Sequence, residues 1–423
     1  MGYQRIINFI KKSYENVPLY KNIAKERGIS IINHIEDVPV IGKKEFVGRQ
    51  NECINPRYSG KYIHNELLLR RTSGSTGQYL QIMWDTADID RSLIELWLRR
   101  AKNHGIFPHS RLVLFFSDAL SDDRYRQHKN ELGISMRMLL PHNIENAYAN
   151  ILSWEPEWMI LQPQTAVLLA EFVKRSGREL PSSLKYIEFT GEVLDASVRK
   201  DIENLFGCRS ADQYGANETG SIAYECTNGN FHVMRSNVYV EILDEDDEVI
   251  ADSIAGAYGG ECAKGRIVVT SLSNNVMPFI RYDIGDKGAI LNKKCSCGCN
   301  YPVLELYGGR QNDFVLLKDG GRLSPYIFVG MIDRLNAVTD GAVLQFHFAQ
   351  RAYDKFKVRL YAEEADYEIK EIMLGIFEED YPYDAELDIE FVDASMNVGI
   401  NGKYAYFTNE ITYRKEQEIM LAF

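Results

Sequence analysis

Short apolar runs alternate with amphipathic segments through the middle of this chain, and that alternation constrains the fold more than any other feature. RLVLFFSD (111–118) and WMILQPQ (158–164) have the length and character of buried strands. IDRSLIELWLRRAKNHG (89–105) and QTAVLLAEFVKRSG (164–177) carry helical periodicity and end in glycine, a helix-stop signal. Strands alternating with helices predict an α/β arrangement with a partly parallel sheet. Near the N-terminus, YQRIINFIKKSYENV (3–17) sets Ile6, Ile7, Phe9 and Ile10 on one helical face, with Pro18 as its stop.

The texture changes after about residue 230. VYVEILDEDDEVIADS (238–253) reads as a hairpin around a solvated acidic turn, and GRIVVTSL (265–272) as a further strand. From about residue 310 a second unit begins: FHFAQRAYDKFKVRLYAEE (346–364) reads as strands and DYEIKEIMLGIFEEDY (366–381) as an amphipathic helix. No internal repeat and no low-complexity tract interrupts the 423 residues. A net charge of −12 argues against a general nucleic-acid binder, which needs a basic face. It leaves room for a local anion site built from N–H groups. No apolar run reaches the roughly 18 residues that span a bilayer, and the first twenty or so residues do not read as a signal peptide. The expectation is a soluble cytoplasmic protein.

Ser73, Gly74, Ser75, Thr76 and Gly77 form a hydroxyl- and glycine-rich loop between hydrophobic segments. Glycines let N–H groups converge and hydroxyls add donors, which together make a nest for phosphate oxygens. The Walker and dinucleotide patterns are both absent. Taken alone, the loop reads first as a Ser/Gly-rich surface turn.

Six segments then follow in order: TSGSTG (72–77), FTGE (189–192), DQYGANETG (212–220), RYDIGD (281–286), GGRQND (308–313) and NGK (401–403). This series resembles the adenylate-forming superfamily of acyl-CoA synthetases and adenylation domains. The opening YENVPLYKNIAKERG (14–28) and the segments AYEC, FHV and CSCG (223–226, 231–233, 295–298) are similar to the phenylacetate–coenzyme A ligase branch, including its relatives in capsular polysaccharide loci.

The resemblance implies an α/β fold with a large N-terminal domain of mixed sheets and helices (1–309) that binds ATP and acid. A small mobile α+β C-terminal domain (310–423) would carry the catalytic lysine. Residues 73–77 would wrap the β- and γ-phosphates of ATP, with Gly191 and Glu192 also in the nucleotide site. Tyr214 would stack on adenine and Gly215 would leave room for it. Glu218 would hold Mg²⁺ through a hard carboxylate oxygen, and Asn217 would donate to a phosphate oxygen. Asp286 would accept from the ribose hydroxyls. Arg310 would lie near ribose or phosphate. Lys403 would bridge the carboxylate and the α-phosphate, where negative charge gathers in the transition state. Outside the motif order each has a plain alternative: Lys403 a solvated surface lysine, Tyr214 a core or interface ring, Asp286 a turn residue.

The chain departs from the family pattern at four places. Asn217 stands where Thr or Ser is usual, Asn312 occupies the hinge position, and Gln78-Tyr79-Leu80 replaces Pro-Lys. The approach to Lys403 lacks its usual flanking Pro and Arg.

Seven cysteines do not make a disulfide framework. Cys53, Cys208 and Cys262 stand alone. Cys226 and His232, six residues apart, and Cys295 with Cys297, about sixty residues later, offer two pairs of ligands suited to tetrahedral Zn²⁺. The alternative is a cysteine-bearing loop beside an ordinary histidine, and Cys299 could substitute as fourth ligand. Some members of the branch carry a structural zinc at such positions.

The activity implied is attack of a carboxylic acid, aryl or arylacetic, on the α-phosphate of MgATP. Pyrophosphate leaves, and the acyl group passes to the thiol of coenzyme A along a channel lined by Gly320, Gly321 and Arg322. A carrier-protein thiol, an amine or a hydroxyl is the alternative acceptor, and a non-catalytic nucleotide-binding homologue the lesser one. A small-molecule acid, coenzyme A or a carrier protein, and a second copy in a homodimer are the expected partners. Nucleic acid and membrane are not expected.

Overall fold

A computed structural model describes residues 2–71, 80–116, 123–140, 142–192, 194–258, 262–307, 314–339, 341–362, 367–392 and 406–411. The chain divides into two compact units. One comprises 1–72, 80–108 and 211–309, the other 73–79, 109–210 and 310–423.

In the first unit, the N-terminal helix Tyr3–Asn16 buries Ile6, Ile10, Ser13 and Tyr14. It ends just short of Pro18, which opens the next helix, Pro18–Arg27, instead of merely stopping the first. The first helical position loses nothing by lacking an N–H. The strand pair Leu68–Arg71 and Gln81–Trp84 forms a small antiparallel ribbon. The helix Thr86–His104 starts where the Asp85 side chain accepts from the Ala87 N–H and ends at Gly105 in the left-handed conformation.

The acidic hairpin forms as its alternation predicts, with Val238–Leu243 antiparallel to Val249–Asp252. It joins a larger antiparallel sheet through Cys262–Ser271, Tyr282–Leu291, Val303–Tyr307, Phe231–Val233, Gly220–Glu225 and Arg209–Ala216, in that order. Ile222, Val233, Val240, Ile242, Ile267, Val269, Ile290 and Leu304 fill one core of this sheet. The N-terminal helices pack on a second core that includes Phe46, Trp84, Phe279 and Tyr282.

The second unit holds the parallel strands that the central alternation predicts. Tyr186–Thr190, Trp158–Leu161, Leu112–Phe116 and Glu131–Ser135 pair in parallel, and Tyr125–His128 closes the edge antiparallel. The 158–164 run is strand only to Leu161, because Pro163 begins the helix Pro163–Ser176. The C-terminal part is a four-stranded sheet in the order Glu386–Phe391, Lys355–Ala362, Val343–Ala352, Phe407–Asn409, with helices Tyr326–Val338 and Tyr367–Asp380. Phe328, Phe346, Phe348, Phe356, Phe377 and Phe407 dominate its core. Buried Asp380 accepts from Arg137 and Arg334, each at 2.5 Å, and ties this part to the turn Met136–Leu139. No helix among the described residues is long and apolar enough to cross a membrane.

Candidate functional site

The hairpin Arg209–Ala216 and Gly220–Glu225 carries the DQYGANETG residues on its turn and flanks. Register shifts between Tyr214 and Gly215, and the close approach there explains the glycine. A Cβ at position 215 would lie 2.7 Å from the Gly220 carbonyl oxygen and 3.2 Å from Ser221 Cα. The hairpin's own backbone therefore requires Gly215, whatever space it also leaves for a ligand. Trp84 Nε1 donates to the Asn217 carbonyl at 3.0 Å and pins the turn from the neighbouring ribbon. The Asn217 side chain is exposed.

Two hydrogen bonds join this hairpin to the RYDIGD segment. Tyr214 donates from its hydroxyl to Asp286 Oδ2 at 2.8 Å. Tyr282 donates to Glu218 Oε1 at 3.1 Å. Glu218 is buried in the turn, and Tyr282 is its hydrogen-bond partner among the described residues. Burial, and then the negative charge of Glu218, raise the Tyr282 hydroxyl well above the usual phenol range, so it remains a donor. Asp286 follows Gly285, whose φ of 79° turns the strand and whose N–H donates to Asp283 Oδ1 at 2.9 Å. Tyr214, Asn217, Glu218 and Asp286 are thus brought into one neighbourhood.

Gly191 and Glu192 lie in the other unit, at the end of the strand Tyr186–Thr190. Glu192 Oε2 accepts from the Gln164 N–H at 3.4 Å, and Gln164 Oε1 accepts from the Ser324 hydroxyl at 3.1 Å. Gly320 and Gly321 lie in the turn between the strands Val315–Leu316 and Arg322–Leu323, and Arg322 opens the second strand. Ser73, Gly74, Ser75, Thr76, Gly77, Arg310, Asn312 and Lys403 lie outside the described residues.

The cysteine cluster forms a compact group. The ligand atoms of Cys226, His232, Cys295 and Cys297 all lie within 4.8 Å of one another. Cys226 Sγ is 3.7 Å from Cys295 Sγ, and Cys297 Sγ is 3.3 Å from His232 Nε2. His232 Nδ1 lies 2.9 Å from the Tyr301 carbonyl oxygen. A carbonyl only accepts, so Nδ1 holds the proton and Nε2 presents its lone pair to the sulfurs. Three thiols and one such imidazole fit a closed tetrahedral metal site. Cys53 and Cys208 are buried elsewhere, and burial pushes each thiol up to about 12.

Three residues at the site carry no motif signature of their own. Tyr282 stands inside RYDIGD, but nothing in its type announces a partner 64 positions away. Trp84 and Phe46 act through contacts that no local pattern encodes.

The chain is similar to known proteins in structure and in sequence. No family model matches it. In structure it is similar to 2-hydroxyisobutyryl-CoA ligase in the postadenylation state in complex with R3-HIB-AMP. That match has a TM-score of 0.60 at 18% identity and covers 99% of this chain and 91% of that one. The same ligase in the thioesterification state, in complex with 2-HIB-AMP and CoA, also gives 0.60 at 18% identity, with the same coverage. The fold is therefore that of the adenylate-forming acyl-CoA ligases.

Within that class, its curated relatives are phenylacetate–coenzyme A ligases. The protein of that name from Thermus thermophilus is 23% identical over 74% of this chain and 71% of its own length. The one from Pseudomonas putida is 25% identical over 73% and 70%. The one from Escherichia coli is 24% identical over 74% and 71%. The resemblance drawn from the ordered motifs is borne out by these matches.

Proposed function

We propose that this chain is an AMP-forming acid–thiol ligase that activates a carboxylic acid with MgATP and transfers the acyl group to coenzyme A. The observation that carries the reading is the pair of hydrogen bonds Tyr214–Asp286 and Tyr282–Glu218. They set an aromatic ring, an acceptor-only carboxylate and a buried second carboxylate beside one another on residues from two of the ordered motifs.

Each group has a task in the two half-reactions. Tyr214 offers its ring face to adenine while its hydroxyl holds one oxygen of Asp286. The Asp286 carboxylate has lone pairs for the ribose hydroxyls. Glu218 has a hard oxygen donor in a buried turn, which fits Mg²⁺. Magnesium bound there with ATP would neutralise phosphate charge. Lys403 stabilises the charge that develops as the acid oxygen attacks the α-phosphorus and pyrophosphate departs with its bonding electrons. The thiol sulfur then attacks the acyl carbon, and AMP leaves carrying the bridging oxygen. AMP is a far better leaving group than hydroxide, which makes the acyl transfer accessible. The small domain 310–423 moves between the two steps, withdrawing Lys403 and admitting the thiol by way of the Gly320–Arg322 turn.

The acid is aryl or arylacetic, a reading supported by the name of the curated relatives. Cys226, His232, Cys295 and Cys297 would hold a zinc ion in a structural role, since four protein ligands would leave no position open for substrate. Pyrophosphate release from MgATP, measured over a panel of aryl, arylacetic and short aliphatic acids with and without coenzyme A, tests the proposal. Acid-dependent release that coenzyme A turns into steady AMP and thioester production is expected. Release indifferent to coenzyme A would move the acceptor to an amine, a hydroxyl or a carrier thiol. No release with any acid would overturn the reading.

A further inference from the structure

We propose that Tyr282 is a positioning residue for Glu218: its buried hydroxyl holds one carboxylate oxygen so that the other is presented to the magnesium ion of MgATP. The inference rests on the ligase reading above and adds to it a residue that acts through Glu218.

The Tyr282 ring is firmly seated. Its side chain is 2% exposed. Phe46 and Phe279 stack on each other, with centroids 4.6 Å apart. Both then meet the Tyr282 ring edge to face, at 5.7 Å and 5.1 Å. The ring therefore sits in an aromatic socket with little room to rotate.

The backbone is held as closely. Ile41 bridges Tyr282 in parallel, donating from its N–H to the Arg281 carbonyl at 3.0 Å and accepting from the Asp283 N–H at 2.9 Å. Arg281 adopts a φ of 42°, a sparsely populated conformation for a non-glycine residue. Its surroundings over-determine it. The Arg281 N–H donates to Thr270 Oγ1 at 3.0 Å, and its guanidinium to the Val38 carbonyl at 2.8 Å and to buried Glu241 at 3.1 and 3.0 Å. The segment Val38–Phe46 thus braces the point from which Tyr282 reaches the turn.

At the other end, Glu218 is 7% exposed and sits in a turn that Trp84 fixes through the Asn217 carbonyl. A glutamate has three side-chain torsions, and a carboxylate free to rotate would offer a cation one oxygen, both or neither. The Tyr282 hydroxyl removes that freedom by occupying Oε1 at 3.1 Å. An ordinary phenol keeps its proton at neutral pH, and a carboxylate only accepts, so the hydroxyl is the donor in this bond. Partners of this kind orient metal ligands, and removing one weakens metal binding by about tenfold or more.

The test is equilibrium ATP binding, by calorimetry, with saturating magnesium and with excess chelator. The proteins are wild type, Tyr282→Phe, Glu218→Gln and the double variant. Phenylalanine keeps the ring and its packing and deletes only the donor. In wild type, magnesium should tighten ATP binding. In Tyr282→Phe that gain should shrink by about tenfold while chelated ATP binds as in wild type. In the Glu218→Gln background, Tyr282→Phe should change nothing further. A partly unfolded sample lowers the number of sites and not the ratio of the two affinities, so loss of fold does not imitate the effect.

Should Tyr282→Phe not fold, Phe46→Leu loosens the socket without touching the hydroxyl and should lower the same ratio. An unchanged ratio in the folded variant overturns the proposal. So does an equal loss with Gln at position 218, which would mean that the hydroxyl does not act through Glu218. A wild type that binds no ATP, or binds it identically without magnesium, overturns the ligase reading and this proposal together. A wild type that responds to magnesium beside an unresponsive Tyr282→Phe effect removes this proposal alone.

Discussion

Asp286 and Tyr214 share one hydrogen bond of 2.8 Å, and their separate tasks can be told apart by conservative change. Asp286→Asn keeps the shape but replaces an acceptor-only group with one that is half donor. Charge-assisted hydrogen bonds are worth about 1.5–3 kcal/mol, so kcat/KM for ATP should fall by roughly ten- to a hundredfold. Tyr214→Phe keeps the ring face for adenine and should cost less, on the order of a few-fold in KM, through a less constrained Asp286. Steady-state kinetics with varied ATP checks both.

Thiol chemistry gives a second residue-scale prediction. The thiolate is the nucleophile, and burial raises Cys53 and Cys208 to about 12. Below that pH each is mostly the unreactive thiol, so alkylation of the native protein near pH 8 should spare both, as peptide mass mapping can show. That Glu218 and Asp286 come into one neighbourhood could be anticipated, because both stand in motifs that follow a fixed order. Tyr282, though inside a motif, could not, because its meaning lies in a partner 64 positions away.

Among elements, the hairpin turn and the cysteine loops carry the most consequence. Gly215→Ala would drive a Cβ to within 2.7 Å of the Gly220 carbonyl. Overpacking against backbone costs about 1–3 kcal/mol, so thermal unfolding should shift down and KM for ATP rise together. For the loops, removing metal with a chelator, or Cys295→Ser, should lower the melting temperature by several degrees, because a closed site contributes its binding energy to folding. Metal analysis of the purified protein should return about one zinc per chain. The cysteine and histidine cluster could be read as two pairs, but nothing in the spacing revealed that the Tyr301 carbonyl would face His232 Nδ1. Helices with clear glycine stops and strands with clear alternation were legible. Element edges at proline were less so: Pro18 and Pro163 each open a helix, because a residue without an N–H sits without loss at a first helical position.

For the whole molecule, the proposed reaction sequence calls on the α/β frame, the hairpin that carries Tyr214 and Glu218, and Lys403. On the proposed reading the lysine serves only the first step, so Lys403→Ala should abolish adenylate formation from acid and ATP while retaining thioester formation from a supplied acyl-adenylate. Product assays on the two half-reactions would show the split. The α/β class was legible from the middle of the chain alone. The discontinuous grouping of 109–210 with 310–423 was not, since contacts such as Arg137 and Arg334 on Asp380 leave no local trace in sequence.

The most direct test of the central claim follows one oxygen atom. With the acid labelled by heavy oxygen in its carboxylate, turnover with MgATP and coenzyme A should place one labelled oxygen in each AMP, read by mass spectrometry. That result requires the acid oxygen to have bonded to the α-phosphorus. Unlabelled AMP, or label recovered in inorganic phosphate, would contradict the account, because the carboxylate would then not have been activated as an adenylate.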